Sequence, residues 1–196
     1  MSDKITDKKT RILHSAMKVF SQKGFHQAKI EEIAENADVG KGTVYEYFKS
    51  KEELFFEMFK AGSADYMDIV TAELALTNSA EEKIYKVIRT HFDFMKKNKE
   101  LAKIMMQEHL EAGKQLREWF MEMRNNKLKM LEEIIIIGIA NGELVAQNPA
   151  ITATLITGMV GAAGGMLVFS PKAPDIEEIF QTIQKFLKNG IITSIN

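Results

Sequence analysis

Apolar residues recur along this chain at the three-to-four-residue spacing of amphipathic helices, and no stretch keeps the two-residue alternation of a half-buried strand. Ile12, Ala16, Val19 and Phe20, widened by Leu13 and Met17, predict a first helix over 7–23 that Gly24 stops. Ile30, Ile33, Ala34 and Ala37 predict a second over 30–37, and Val44 and Phe48 share one face of a short third over 41–48. Asp38-Val39-Gly40 between them is a tight turn, because aspartate tolerates the left-handed backbone and glycine prefers it. Ser50-Lys51-Glu52-Glu53 and Ser79-Ala80-Glu81-Glu82 have the spacing of capping boxes. They open a fourth helix, running to about 76, and a fifth over 80–97. Helices over 99–112 and 115–141 follow, the latter ended by Asn141-Gly142. Asn148-Pro149 is a cap followed by an N1 proline and opens an eighth helix; Asp175 begins a ninth, which Gly190 ends. The expected fold is all-α: a helix-turn-helix three-helix bundle over 1–54, then a larger helical domain over 55–196.

Composition narrows the function. Apolar residues at 45% and charged residues at 27% are ordinary for a globular chain with a sizeable core. The absence of cysteine excludes disulfides and thiolate metal sites. His14, His26, His91 and His109 are scattered, with no metal-ligand spacing. No nucleophile–base pair or phosphate loop occurs, so no catalytic residue, metal or cofactor is expected and the chain does not read as an enzyme. The opening Met1-Ser2-Asp3-Lys4-Ile5 is charged, unlike a signal peptide, which makes a cytoplasmic location the default. Net charge is −1, and residues 1–54 hold ten basic against nine acidic side chains. Bulk charge therefore says nothing of nucleic acid, and any case for DNA rests on local geometry.

That geometry is a helix-turn-helix, whose second short helix has the size to enter a major groove. Ala34 is small where two helices cross, and Val39 plugs the turn. Gly42, Thr43, Tyr45 and Glu46 point largely away from Val44 and Phe48. Gly42 would let backbone approach DNA, and Thr43 could meet a phosphate or a thymine methyl. Tyr45 and Tyr47 could donate to phosphates, and Glu46 could accept from cytosine N4. Lys29, Lys41, Lys49 and Lys51 offer phosphate charges. The plainer alternative is that the tyrosines pack on neighbouring helices and the lysines are solvated.

Arg11-Ile12-Leu13, Ala16, Phe20, Gly24-Phe25, Ile30, Ile33-Ala34 and the run from Ala37 through Lys41-Gly42-Thr43-Val44-Tyr45-Glu46-Tyr47-Phe48 to Leu54 closely resemble the TetR family of transcriptional regulators. The resemblance implies a dimer that binds a palindromic operator in double-stranded DNA and lets go when a small molecule binds the C-terminal domain. By position, Thr43, Tyr45, Tyr47 and Lys51 resemble the family's DNA-contacting residues. Ala28-Lys29 stands where the family usually has a hydroxyl residue, so Lys29 would substitute only by charge; Asp38 replaces a common turn glycine, and Tyr47 a frequent histidine.

Beyond the helix-turn-helix, Phe92, Met95, Met105, Met106, His109, Trp119, Phe120 and Met123 are candidates to line a lipophilic pocket, or else are plain core. The spacing of His91-Phe92, Leu101-Ala102, Glu108 and Leu116-Arg117 loosely resembles TetR-type regulators of fatty-acid degradation that sense acyl-coenzyme A. A multidrug or aromatic-cation sensor is the close rival, and a helical lipid carrier that ignores DNA a more distant one. Inward acids would favour a cation; Arg117 and Arg124 turned inward would favour an anionic headgroup. Residues 144–171 carry no charge, so a membrane span competes there with a helix buried on both sides. Its threonines and four glycines, and the lack of a flanking basic cluster, favour the buried helix and no membrane. The resemblance implies that the last two helices form an isologous dimer contact, through Thr157, Gly161, Gly165, Phe169, Ile179, Ile183 and Phe186.

Overall fold

The computed structural model describes residues 2–108, 113–172 and 174–192. Among these the chain forms nine helices and no strand: α1 Ser2–Gln27, α2 Ile30–Asn36, α3 Lys41–Tyr47, α4 Lys51–Leu74, α5 Ala80–Lys97, α6 Lys99–Glu108, α7 Lys114–Ala140, α8 Pro149–Phe169 and α9 Ile176–Gly190. Most ends fall within two residues of the predicted ones; α1 begins earlier, and 109–112 lie outside the described residues. Gly24 breaks α1 with φ 74° and ψ 169°, so the predicted stop is a kink inside a longer element. Asp38 takes the left-handed turn at φ 53°.

The helices fall into two compact units, residues 2–65 with 98–119 and residues 66–97 with 120–192. In the first, α1 packs on α2 and α6, and α2 on α3. Ile12, Ala16, Phe20, Ile33, Val44 and Phe48 are buried. Phe55 joins them edge-on to Phe20 at 4.8 Å and to Phe59 at 5.0 Å. Each such buried ring contributes about 1.5–3 kcal/mol. α6 belongs to this unit: Leu101, Ala102 and Ile104 are buried, and Leu101 lies against Gly62.

In the second unit α5, α8 and α9 pack together. Its core joins Ile84, Ile88 and Phe92 of α5 to Leu131 and Ile135 of α7, Ile156 and Val160 of α8, and Ile179 and Ile183 of α9. Both capping boxes form, each with a variation. Ser50 Oγ accepts from Glu53 N at 3.1 Å, while the Glu53 carboxylate accepts from Lys49 N at 2.5 Å. At α5, Ser79 Oγ accepts from Glu82 N at 3.4 Å, and Glu143, distant in sequence, accepts from Ala80 N at 2.7 Å and from the Ser79 hydroxyl at 3.1 Å. Asn148 Oδ1 caps α8 by accepting from Ile151 N at 3.1 Å. By length and a mean hydropathy of 1.7, α8 could cross a membrane. Here Ala153, Ile156, Val160 and Gly164 turn into the unit, while Ile151, Leu155, Met166 and Phe169 are exposed. The helix is buried on one side only, not on both as the composition suggested.

Candidate functional site

The turn between α2 and α3 is held from inside. Ser15 of α1 donates to Ile33 O at 2.7 Å, and Val39 N to Ala34 O at 3.0 Å. Val44 and Phe48, each 1% exposed, anchor α3. Its opposite edge is thereby turned outward: Tyr45 is 45% exposed, Lys41, Gly42 and Glu46 are exposed, and Thr43 and Tyr47 are half-buried. A side-chain carbon at Gly42 would meet nothing within 4 Å. The protein's own packing therefore does not demand glycine there, and the bare backbone is open to an outside body.

Charge on this face is partly settled within the unit. Lys41 donates to Glu31 at 2.6 Å and Lys23 to Glu32 at 2.7 Å. Those hydrogen bonds hold both carboxyls below the ordinary range and raise Lys41. Two of the three α2 acids, Glu31 and Glu32, which would repel a phosphate backbone, are thus each matched by a lysine; the third, Glu35, is exposed. Lys29 and Lys49 are exposed, and the charge of Lys29 also acts on Glu31 and Glu32. Lys29 sits at the α2 N-cap and its side chain makes no capping bond. Lys51 turns inward: its ammonium donates to His26 O and Ala28 O, both at 3.2 Å, and lies 4.7 Å from the centre of the Phe25 ring. It ties the end of α1 to the start of α2.

The candidate pocket residues divide between the units. Met105 and Met106 are exposed in the first, where Trp119 packs edge-on against Phe56 at 5.7 Å. In the second, Phe92 is fully buried core and Met95 is buried, while Phe120 and Met123 are half-buried. His109 lies outside the described residues. Arg117 and Arg124, the two cations that could have met an anionic headgroup, are exposed.

The second unit instead brings together three polar side chains, Tyr66 of α4, His91 of α5 and Lys127 of α7, of which sequence reasoning had quoted only His91, for a family spacing. Lys127 Nζ lies 3.2 Å from His91 Nδ1 and 5.4 Å from the centre of the Tyr66 ring; the Tyr66 and His91 rings are edge-on at 6.0 Å. Burial lowers Lys127 to about 8. Burial first, then the charge of Lys127, holds His91 well below its usual range, and burial raises the Tyr66 hydroxyl. No carboxylate contributes to any of these shifts, and among the described residues Lys127 has no ion-pair partner. The ammonium can only donate, so His91 accepts at Nδ1 and carries its proton on Nε2. The Tyr66 hydroxyl is buried with no hydrogen-bond partner. A Cβ at Gly164 would come within 2.7 Å of Met95 Sδ and 3.9 Å of His91 Nε2, so α8 approaches closely where it has no side chain. Beside the cluster, Phe94 packs on Tyr66 at 5.3 Å and also walls a surface cleft of about 350 Å³ between α4 and α5.

A signal for these residues is present in the sequence. His91 falls on the stripe Ile84, Ile88, Met95, and Lys127 on the stripe Leu131, Ile134; both are polar residues at core positions.

The expected dimer residues divide by exposure. Ile179 and Ile183 are 7% exposed and belong to the core of their own unit. Thr157 and Gly165 are half-buried, and the Thr157 hydroxyl is buried without a partner. Gly161, Phe169 and Phe186 remain on the surface, the last at 69% exposure. The exposed stripe of α8 is Ile151, Leu155, Gly158, Ala162, Met166 and Phe169, rotated from the expected one because the 153/156/160/164 face is taken by the core.

Comparison with known proteins adds the following. A family model described as bacterial regulatory proteins, tetR family, matches residues 12–58, and one described as a tetracyclin repressor-like C-terminal domain matches 77–163. The fatty acid metabolism regulator protein of Bacillus subtilis is 26% identical over 182 residues, covering 92% of this chain and 94% of that protein. The uncharacterized HTH-type transcriptional regulator YhgD of the same organism is 30% identical over 148 residues, covering 75% and 77%. The crystal structure of the transcriptional regulator FadR from Bacillus subtilis in complex with stearoyl-CoA superposes with a TM-score of 0.83 at 24% identity, covering 95% of this chain and 99% of that one.

Proposed function

The chain belongs to the TetR family as a ligand-responsive transcriptional regulator, and from that premise we propose that it is a cytoplasmic repressor that holds a palindromic operator as a homodimer and is released by a fatty acyl-coenzyme A. The observation that carries the DNA half is the outward edge of α3, with Gly42, Tyr45 and Glu46 free of the protein's own packing. Thr43, Tyr45 and Tyr47 are the proposed groove contacts, and Lys29 and Lys49 the proposed phosphate contacts. The dimer contact is proposed through the α8 stripe that includes Leu155 and Met166, together with Phe186 of α9.

Likeness to a fatty acid metabolism regulator over nearly the whole length supports the effector class. A cationic effector is disfavoured by a buried ammonium with no acid beside it. One helix links the two functions: α4 carries Lys51 and Leu54 at one end and Tyr66 further along.

The test starts from DNA selected by the protein out of a random pool. The reading expects an inverted repeat with half-sites one helical turn apart, and affinity that falls at least tenfold with micromolar hexadecanoyl-coenzyme A. Selection of no symmetric site, or affinity indifferent to every acyl-coenzyme A chain length, would overturn it.

A further inference from the structure

We propose that Tyr66, His91 and Lys127 form an oxyanion-binding site inside the second unit, which receives the charged oxygen of a fatty effector. This rests on the proposed function for the effector class but assigns a site and a chemistry that the class does not supply. The inference follows from an inventory of donors. Lys127 spends one N–H on His91 and faces the Tyr66 ring with its charge. His91, with its proton on Nε2, has no acceptor for it among the described residues. The Tyr66 hydroxyl is buried and unpartnered.

Lys127 Nζ stands 3.2 Å from His91 Nδ1 and 5.4 Å from the centre of the Tyr66 ring, and together the three groups present donors and one positive charge. A buried donor without a partner costs about 1–3 kcal/mol, and an uncompensated buried charge costs more. The Tyr66 hydroxyl without a partner and an ammonium with no carboxylate beside it, carried on different helices, make a poor core but the complement of an anion with several lone pairs. A cation, an alcohol or a hydrocarbon would leave the ammonium unmatched.

The anion can come from two sources: the carboxylate of a free fatty acid, or a phosphate of the coenzyme A moiety. Two matched pairs of ligands separate them. Dodecanoate against dodecanol isolates the carboxylate, and dodecanoyl-coenzyme A against dodecanoyl-pantetheine isolates the phosphates. Binding of all four, below micellar concentrations, is measured by calorimetry on the full chain and on Lys127→Met. At least one charged member should bind wild type tenfold or more tightly than its uncharged partner, as a charge-assisted hydrogen bond in a dry site provides. Lys127→Met should abolish that preference while leaving the uncharged ligand bound as before, which shows that the variant is folded. The pair that loses its preference names the source.

A preference that survives Lys127→Met, or no preference in wild type, overturns the site. So does failure of all four ligands to bind. Operator release read in parallel keeps the two proposals apart. Release by dodecanoyl-coenzyme A with Lys127→Met indistinguishable in affinity sinks the site and spares the regulator. Lys127-dependent binding without release does the opposite.

Discussion

Replacing Lys127 with methionine should stabilise the ligand-free protein, and the gain should depend on pH. Met keeps the length of the side chain and removes the charge. Burial takes the ammonium from its ordinary 10.5 to about 8. At 1.36 kcal/mol per pH unit, keeping it charged in the folded state therefore costs at most about 3 kcal/mol, less whatever its residual accessible surface recovers. Below pH 8 both folded and unfolded chains hold the proton, and the full cost stands. Between pH 8 and 10.5 the unfolded chain still holds it while the folded one has shed it, so wild-type stability rises with pH. Above that window the cost is gone. The difference between wild type and variant should thus shrink by about 3 kcal/mol across it, while titrations common to both cancel. Urea unfolding of the pair at matched concentrations from pH 7 to 10.5 reads this directly; at pH 7 the variant's melting temperature should be several degrees higher, at about 2–4 °C per kcal/mol. A difference that stays flat with pH would refute the reasoning, because it would mean that the ammonium is already solvated or compensated.

Other consequences are quicker to check. Lys49→Ala should reduce the salt slope of operator binding by about one unit, whereas Lys51→Met should leave the slope alone and cost the first unit about 1–2 kcal/mol through lost carbonyl and ring contacts; a slope changed by Lys51→Met would return Lys51 to the DNA. Leu155→Glu, at a side chain 63% exposed on the α8 stripe, should convert dimer to monomer in sedimentation without lowering helicity; an unchanged dimer would place the interface elsewhere. Glu143→Ala should cost about 0.5–2 kcal/mol by uncapping α5. The Glu143 carboxyl is held below its ordinary range mainly by Ala80 N–H, so its contribution should be present above about pH 4.5 and fade on acidification, and equal melting of wild type and variant at pH 7 would contradict this.

The local signals were the most legible part of the sequence. Capping residues, Asp38 and Asn148-Pro149 act within a few residues of where they stand and placed the helix ends closely, while Gly24 marked a kink. The outward edge of α3 was legible for the same reason, since Val44 and Phe48 four residues apart fix the other side. Contacts made across the fold were not. Lys51 reads as a surface cation until the end of α1 and the residue beyond it bring two carbonyls to it. Met105, Met106 and Trp119 share a composition with Met95 and Phe92, but α6 returns to the first unit, and composition carries no information about that return. Ile179 and Ile183 were expected to meet a partner, yet one amphipathic face cannot serve core and partner equally, and here it packs into the core of its own unit. The cluster at Lys127 was visible only as a polar residue in an apolar stripe, a cue that needs two further helices before it means anything.

Regulation requires that effector and operator oppose one another at equilibrium, and that requirement is symmetric. The most direct test is to titrate hexadecanoyl-coenzyme A into the free protein and into its complex with the selected DNA, and to measure operator affinity with and without saturating effector. The account predicts that DNA weakens effector binding by the same factor, tenfold or more, by which effector weakens DNA binding. Equal effector affinity for free and DNA-bound protein would contradict it.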